Sequence, residues 1–249
     1  LRNADGSYAA PATFAVGISP GAVLAIDVNN DFLIDLVAAN ADSDNVSVLL
    51  NTTAVGAAAP TFGTAVNFAV GDGPLNVAAG DVNGDGIADL AVTNGTDDTV
   101  SVLVNDAAAG AAAPSFAAAV NFAVGDGPRP VVIRDFNGDG KTDLAVGNSG
   151  NTNNVSVLIN ASAAGAASPS FAAAANYPAG STIYSLTVAD LNLDGKPDIA
   201  AGNYVASGPN ISVLLNSTPV SAAVASFPSS PTQFTASNFH DTIASGDFN

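Results

Sequence analysis

Short apolar segments that alternate with polar residues, punctuated by Gly, Asn and Asp, run along the whole chain. In one representative stretch they occupy residues 74–82, 90–93, 100–104 and 119–124, and a Gly-Asp-Gly-Pro turn at 125–128 leads into the next such group. Segments of this length, rich in Val and alternating every second residue, predict β-strands and not helices. The chain is therefore predicted to be all-β, with antiparallel strands joined by short turns.

The group of four strands recurs along the chain. An acidic loop begins at residues 27, 81, 135, 190 and 247, at spacings of 54, 54, 55 and 57 residues. Four short antiparallel strands in a period of this length are typical of the blade of a β-propeller. We expect a single repeat array over 1–249, divided into a partial blade at 1–17, repeats at about 18–71, 72–125, 126–180 and 181–237, and the start of another repeat at 238–249.

Each nine-residue acidic loop has the composition of a calcium site between the first and second strands of its blade. Oxygen-bearing side chains stand at positions 1, 3, 5 and 9, and a backbone carbonyl is expected at position 7, a donor set that suits a hard cation. Gly at position 6 permits a sharp turn, but the first loop has Phe32 there, so we expect the first loop to bind most weakly. The sequence predicts about four Ca²⁺ sites, with a fifth begun at the last residues. The predicted ligands are Asp27, Asn29, Asp31, Leu33 and Asp35; Asp81, Asn83, Asp85, Ile87 and Asp89; Asp135, Asn137, Asp139, Lys141 and Asp143; Asp190, Asn192, Asp194, Lys196 and Asp198; and Asp247 and Asn249.

Other interpretations of these loops are weaker. An EF-hand requires Glu at position 12 and flanking helices, whereas position 12 here is Ala or Val inside a predicted strand. The nine-residue Gly-rich array of a β-helix repeat is absent from the sequence. Asn/Asp-Gly hairpin turns that need no metal remain the alternative, although four matched loops with three Asp each favour a cation, because the carboxylates would otherwise repel one another.

The overall charge is consistent with metal loops and argues against several partners. The formal charge is −17, all 22 acidic residues are Asp, and four Ca²⁺ would change the charge to −9. Only five Lys and Arg residues could meet phosphates, so nucleic acid and an anionic membrane surface are not expected partners. No apolar run is long enough to insert into a membrane. The chain has no Cys, and calcium at millimolar concentration favours an extracellular, secreted or cell-surface location.

The sequence Gly80-Asp-Val-Asn-Gly-Asp-Gly-Ile-Ala-Asp-Leu-Ala-Val92, followed by Val100-Ser-Val-Leu103, resembles the FG-GAP/VCBS-type repeat, and the resemblance recurs four times over nearly the whole chain. It implies the calcium-binding β-propeller of integrin α subunits and microbial surface proteins, used in binding and adhesion. The family's calcium ligands correspond to Asp81, Asn83, Asp85 and Asp89 and to the matching positions of the other loops.

Alternating strand directions sort the connections onto two faces. The acidic loops share one face with Ala/Gly-rich connections at 52–60, 106–114 and 161–169, which are either small-residue hairpins or close-packing surfaces for another blade, domain or subunit. The turns between blades and between second and third strands lie on the other face, where the resembling family usually meets its ligands. Candidate ligand-face residues, which are equally explained as turn formers, are Asp42, Asp44, Asp72, Asp97, Asp98, Asp126, Arg129, Tyr184 and Tyr204.

Seven Asn-x-Ser/Thr sequences are candidate N-glycosylation sites, and each is equally explained as a turn or a strand opening. They begin at Asn45, Asn51, Asn94, Asn154, Asn160, Asn210 and Asn216.

The sequence contains no recognisable catalytic site. His240 is the only histidine and lacks the sequence context of a triad. A glycosidase needs two carboxylates at a set separation, whereas most Asp residues here belong to the acidic loops. Phosphate-binding and zinc motifs are also absent, and the lack of Trp weakens a lectin interpretation without excluding it.

These features predict a non-enzymatic, extracellular calcium-binding β-propeller that mediates adhesion or protein–protein assembly. A glycan-binding lectin of the same fold, a structural subunit of an extracellular filament or sheath, and an accessory domain of a secreted enzyme are the alternatives. Since the chain begins at Leu1 and stops inside a loop, we expect a segment of something longer. A fifth blade would lack roughly 20 residues of its strands, so missing blades of the same polypeptide or a neighbouring subunit would complete the sheet.

Overall fold

The computed structural model describes residues 11–204, 208, 210–235 and 243–246, and within these ranges the secondary structure consists of β-strands without helices. No helix in the described ranges is long and apolar enough to cross a bilayer. The strands of the first two sheets are β1 (Pro20–Ile26), β2 (Asp35–Asn40), β3 (Asn45–Leu49), β4 (Val66–Ala69), β5 (Pro74–Gly80), β6 (Asp89–Asn94), β7 (Thr99–Leu103) and β8 (Val120–Ala123). Those of the third and fourth are β9 (Pro128–Arg134), β10 (Asp143–Asn148), β11 (Asn154–Leu158), β12 (Ala175–Pro178), β13 (Ile183–Ala189), β14 (Asp198–Asn203), β15 (Ile211–Leu214) and β16 (Thr232–Phe234).

Each sheet is an antiparallel meander whose four strands pair in chain order. Alternating Val residues fix the register, because Val46 and Val48 lie on the same side of the sheet and a slip by one residue would turn them to the other side. In this register Val46 pairs with Phe68 across β3 and β4. The first strand of the first sheet carries an irregularity between Pro20 and Ala22, and the other three sheets have one at the matching place. The four sheets are therefore copies of one unit and confirm the predicted four-stranded antiparallel architecture.

The sheets follow one another in an open row. Strand β1 packs against β5, β5 against β9, and β9 against β13, so the first strands line one side of the row. Among the described residues no comparable packing joins the fourth sheet to the first. The row fits an array of propeller blades that is not closed into a ring.

The hydrophobic core lies between sheets and not within any one of them. Three apolar clusters fill the three sheet–sheet interfaces, represented by Val48 with Leu90, Val102 with Leu144, and Val157 with Ile199. Each sheet must therefore dock on a neighbour to bury its apolar faces, which is the physical basis of a repeat array.

Pairs of aromatic rings close the outer side of each interface. Phe68 on β4 meets Phe116 of the next sheet edge-to-face at 5.0 Å between ring centroids. The matching pairs, at 5.0 to 5.2 Å, are Phe14 with Phe62, Phe122 with Phe171, and Tyr177 with Phe227. Edge-to-face pairs of this kind contribute about 0.5–1.5 kcal/mol beyond their area burial.

Candidate metal loops

The four acidic loops (27–35, 81–89, 135–143 and 190–198) join the first and second strands of their sheets at one edge of the row. In the second loop, Gly86 at position 6 has a φ of 85°, and its N–H donates to the Asp81 carboxylate at 2.8 Å. The Asp85 carboxylate accepts the N–H of Ile87 at 2.8 Å. The first and fifth positions thus curl the backbone around their own carboxylates, and the other three loops repeat both bonds.

The aspartate at position 9 ties each loop to its sheet. Asp89 is buried and accepts the N–H of Val82 at 2.8 Å through one oxygen and that of Asn105 at 2.8 Å through the other. Asp35, Asp143 and Asp198 make the same two kinds of bond. Position 9 is therefore a structural anchor as well as a predicted ligand.

Burial disfavours the ionised form of the Asp35, Asp89 and Asp143 carboxyls. Burial raises the pKa of Asp89 to about 6 and that of Asp143 to about 6, against the opposing effect of the backbone N–H donors. Burial likewise raises the pKa of Asp35. By contrast, the backbone N–H of Lys196 and the side chain of Asn192 lower the pKa of the exposed Asp194 carboxyl. A cation beside Asp35, Asp89 or Asp143 would stabilise the charge that burial disfavours.

The position-3 asparagine receives a contact from the following sheet. The Ala-rich hairpins, residues 52–61, 106–115, 161–170 and 217–226, connect the third and fourth strands of each sheet. In the third sheet, Gly165 donates its N–H to the carbonyl of Asn83 at 2.7 Å, and Asn83 Nδ2 donates to the carbonyl of Ala166 at 3.2 Å. The same pair of bonds joins Asn29 to the second sheet's hairpin and Asn137 to the fourth sheet's. The connections are hairpins and share a face with the acidic loops, as predicted, and three of them bond to the loop of the preceding sheet.

A second cross-sheet contact comes from asparagines that end the third strands and lie outside the nine-residue acidic loops. Asn160, at the end of the third sheet's third strand, donates through Nδ2 to Val82 of the preceding acidic loop at 2.7 Å and to Thr142 of its own loop at 2.9 Å. Asn105 and Asn216 make the corresponding bonds. The recurrence of Asn at 51, 105, 160 and 216, with the period of the repeat, was the available sequence signal.

The loops offer oxygen atoms, the ligands that a hard cation prefers. In this structure, however, the same side chains make hydrogen bonds within the loops. Among the described residues no group of three or more acidic, His or Cys side chains is gathered as a metal cage. Asn29 Oδ1, however, is buried and has no hydrogen-bond partner, and a buried acceptor without a donor is costly. Its position-3 counterparts instead accept the N–H of position 5. Asp81 and Asn83 line a cleft of about 310 Å³ beside the second loop.

Two loops hold bulky residues in the left-handed backbone region. Phe32 at position 6 has a φ of 68° and is 94% exposed, so the first loop keeps the shape that Gly gives the others. Leu193, at position 4 of the fourth loop, has a φ of 63° and is 90% exposed. The sequence pattern indicates the departure at Phe32, because Gly occupies position 6 in the other loops, but gives a weaker signal for Leu193, because position 4 is Gly in only two of the loops.

On the opposite face, most of the predicted ligand-face aspartates bind neighbouring turns. Asp44 accepts the N–H of Gly73 at 2.9 Å, and Asp98 accepts that of Gly127 at 2.8 Å, so both join one sheet to the next. Asp97 accepts the N–H of Asp72, Asp42 accepts the hydroxyl of Ser19, and Asp126 accepts two N–H groups of Asn151. The turn-forming interpretation accounts for these contacts.

Three predicted ligand-face residues come together across the third and fourth sheets. The Arg129 guanidinium carbon lies 4.5 Å from the centroid of the Tyr184 ring, within cation–π range. The Tyr184 ring lies 5.1 Å from that of Tyr204 at an interplanar angle of 40°. We call Arg129, Tyr184 and Tyr204 the aromatic cluster.

Several candidate glycosylation sites lie inside the fold. Asn94, Asn160, Asn210 and Asn216 are buried. Asn94 Nδ2 donates to Thr99 and Ser101, at 2.9 and 2.8 Å, in a polar ladder that every sheet repeats. A glycan on Asn94, Asn160 or Asn216 would break these internal bonds, so the fold has no room for glycans there. Asn45, Asn51 and Asn154 are half-buried at strand ends. Asp247, Asn249 and His240 lie outside the described residues.

Family models of known proteins match the repeated units of this chain. A family model described as FG-GAP-like repeat matches residues 27–92 and 135–201, and a second described as FG-GAP repeat matches residues 74–113. No curated protein matches the chain. Among solved structures, a chain of the crystal structure of BBS1N in complex with ARL6DN, soaked with lead, is similar at 13% identity with a TM-score of 0.48. The match covers 89% of the present chain and 57% of that one, so this chain spans little more than half its length.

Proposed function

The chain belongs to the FG-GAP-like repeat family, and from this premise we propose that it is an extracellular calcium-binding β-propeller module for adhesion or protein–protein assembly, without catalytic activity. FG-GAP repeats indicate an integrin-like interaction module. The family match leaves open the calcium binding, the extracellular location and the kind of partner, which are the content of this proposal.

One observation supports calcium above all others. The same curled loop, with Asp at positions 1, 5 and 9 and Asn at position 3, occurs at the same edge of four sheets, with the same carboxylate-to-backbone bond each time. In the first of these, a buried acceptor, Asn29 Oδ1, has no donor. Asp at positions 1, 5 and 9, the Asn oxygen at position 3 and the carbonyl at position 7 would hold the ion. Calcium would supply the positive charge that these carboxylates lack.

Counting bound ions tests this part of the proposal. Equilibrium dialysis should find about four Ca²⁺ per chain, and Asp85→Ala and Asp139→Ala should each remove one. Asp97→Ala, which removes a carboxylate from the opposite face, is the matched control and should retain all of them. A calcium-free wild type, or equal losses in all three variants, would overturn the assignment.

The aromatic cluster supports a protein partner at the opposite face. Tyr and Arg are enriched in binding hot spots, and the cluster spans two sheets at the face of the turns. We therefore expect the paired substitution Tyr184→Ala and Tyr204→Ala to abolish binding to a protein that the wild type selects from an array of purified secreted proteins. Unchanged binding by the paired variant would place the partner elsewhere.

A glycan ligand is the second candidate, because the two tyrosine rings could stack on a sugar. A glycan array separates the alternatives. Binding to glycans that is lost in the paired tyrosine variant would favour a lectin over a protein-binding module, whereas an empty array beside a positive protein array would favour the first proposal.

The fourth sheet supports assembly with a neighbouring subunit or with further blades of the same polypeptide. Leu191 is 46% and Phe234 52% exposed. Val28, which occupies in the first loop the position that Leu191 occupies in the fourth, is buried under the second sheet. A third candidate, a subunit of an extracellular filament or sheath, follows if this face binds another copy of the chain. Concentration-dependent polymers in electron micrographs would favour that function, and a monomer at all concentrations would contradict it.

A further inference from the structure

The Ala-rich hairpins cross a sheet boundary to reach the acidic loops. Gly165 and Ala166 belong to the third sheet, but both bond to Asn83, which lies in the second sheet's loop. The same pair of bonds occurs at Asn29, between the first and second sheets, and at Asn137, between the third and fourth. The contact is thus a repeated feature of the row.

These bonds fix the orientation of a predicted ligand. Asn83 Nδ2 donates to the carbonyl of Ala166 and also to Asp85 of its own loop, at 2.9 Å. With both amide protons engaged, the plane of the side chain is set and its Oδ1 must face the remaining direction, where it accepts the N–H of Asp85 at 3.1 Å. The Gly165 N–H holds the Asn83 backbone at the same time. Outer partners that orient ligands commonly change metal affinity by 10- to 100-fold when removed.

We propose that the calcium affinity of each of the first three acidic loops is set by the Ala-rich hairpin of the following sheet, so that bound calcium and sheet docking stabilise one another. This inference rests on the proposed calcium binding. By linkage, a hairpin that raises the calcium affinity of a loop is itself held more firmly when calcium is bound. Calcium would then act between sheets and not only within one.

The two ends of the row provide internal comparisons. The fourth loop has no hairpin of a following sheet over it among the described residues, and Asn192 is exposed, whereas Asn29, Asn83 and Asn137 are buried. The first hairpin, conversely, has no acidic loop beneath it within the described ranges, and Val55 at its tip is fully exposed. The fourth loop should therefore bind calcium more weakly than the second and third.

A proline substitution in one hairpin tests the inference. Gly165 has a φ of 68°, so Gly165→Pro removes the N–H that reaches Asn83 and imposes a negative φ. Gly56, with a φ of 76° at the same place in the first hairpin, gives the matched control Gly56→Pro. The backbone amides of Gly86, Gly140 and Gly195 report the second, third and fourth loops separately in NMR titrations with Ca²⁺.

In Gly165→Pro we expect the calcium affinity reported by Gly86 to fall about 10-fold, while that reported by Gly140, in the substituted sheet itself, stays unchanged. In Gly56→Pro, neither should change. Calcium should also slow hydrogen exchange of the Gly165 amide in the wild type more than that of the Gly56 amide. If Gly165→Pro fails to fold, Gly165→Val, which keeps the N–H but disfavours the positive φ that directs it to Asn83, is compared with Gly56→Val.

The outcomes separate the two proposals. If no glycine amide of the wild type responds to calcium, the proposed function itself fails. If the wild type responds but Gly86 titrates identically in the variant, or if Gly140 is affected instead of Gly86, calcium binding stands and the inference is overturned.

Discussion

Phe32 holds a left-handed conformation that a non-glycine residue adopts only at a cost of about 1–2 kcal/mol. Its ring is almost fully exposed and contributes little packing. Phe32→Gly should therefore stabilise the protein by about 0.5–1 kcal/mol, net of the greater chain entropy of Gly, and raise the calcium affinity of the first loop. Chemical denaturation and calcium titration measure the two effects. Gly86→Phe is the mirror-image control with the opposite sign, and a destabilised Phe32→Gly would show that the loop is not strained.

Leu193 extends the same reasoning to the fourth loop. The sequence predicts the first loop as the weakest site, but the fourth has a comparable strain at Leu193 and no covering hairpin within the described ranges. We expect calcium occupancy to be highest in the second and third loops, lower in the first, and lowest in the fourth. Ion occupancies refined from a crystal grown at limiting calcium measure this order, and equal occupancy at all four sites would contradict it.

The buried anchors Asp89 and Asp143 predict how stability depends on pH without metal. Their pKa is about 6 in the folded protein and about 4 in an unfolded chain. Between pH 4 and 6 the folded state therefore holds more protons than the unfolded state, and its stability falls as the pH rises through this window. Deprotonation of each carboxyl across this window lowers the free energy of unfolding by on the order of 2 kcal/mol.

Urea denaturation of calcium-stripped protein at pH 4.5 and 6.5 measures this effect. The midpoint should be lower at pH 6.5, and saturating calcium should remove the difference, because calcium binds the deprotonated carboxylates. A midpoint that rises with pH in the stripped protein would be inconsistent with buried, proton-holding anchors.

At the scale of the element, the asparagines that end the third strands should contribute more to the free energy of unfolding where their side chains bond across a sheet boundary. Asn160→Ala removes two buried donors to Val82 and Thr142 and should cost about 2–3 kcal/mol. Asn51→Ala removes the donor to Ile34 of its own loop, at a half-buried position, and should cost about 1 kcal/mol. Equal losses of denaturation free energy in the two variants would show that the cross-sheet bond contributes little.

The strands and the loop positions could be predicted because they depend on local signals. Alternating Val residues and the turn chemistry of Asn, Asp and Gly locate β5, β6, β7 and β8 to within two residues at each end. The bonds between hairpins and preceding loops could not, because they join residues such as Asn83 and Ala166 that lie far apart in sequence. The hairpin contributes only a backbone carbonyl to the Asn83 side chain, so its own residues carry no signal of the contact.

The same limit applied to the opposite face. Arg129, Tyr184 and Tyr204 were predicted to share a surface, but their stacking depends on how the third and fourth sheets dock. The sequence likewise could not separate the buried sequon asparagines from exposed ones, because Asn94 opens a turn in sequence yet points into the ladder within its sheet.

For the molecule as a whole, the open row explains why calcium should matter. The apolar clusters lie between sheets, so stability depends on docking each sheet against the next, and the acidic loops stand at these boundaries with a formal charge of −17 on the chain. Cations that neutralise the loops would relieve repulsion where sheets meet. The fourth sheet, whose Leu191, Leu215 and Phe234 remain exposed, is the surface at which we expect the row to continue.

Thermal unfolding in the presence and absence of calcium tests the central claim most directly. Extracellular calcium modules bind at roughly 10⁻⁴ to 10⁻³ M, and a ligand at 100 times its Kd adds about 2.7 kcal/mol per site. We predict that 10 mM Ca²⁺ raises the melting temperature by about 5 °C or more over chelated protein, and that equal Mg²⁺ raises it far less. The same melting temperature in calcium, magnesium and chelator would contradict the claim that these loops are calcium sites.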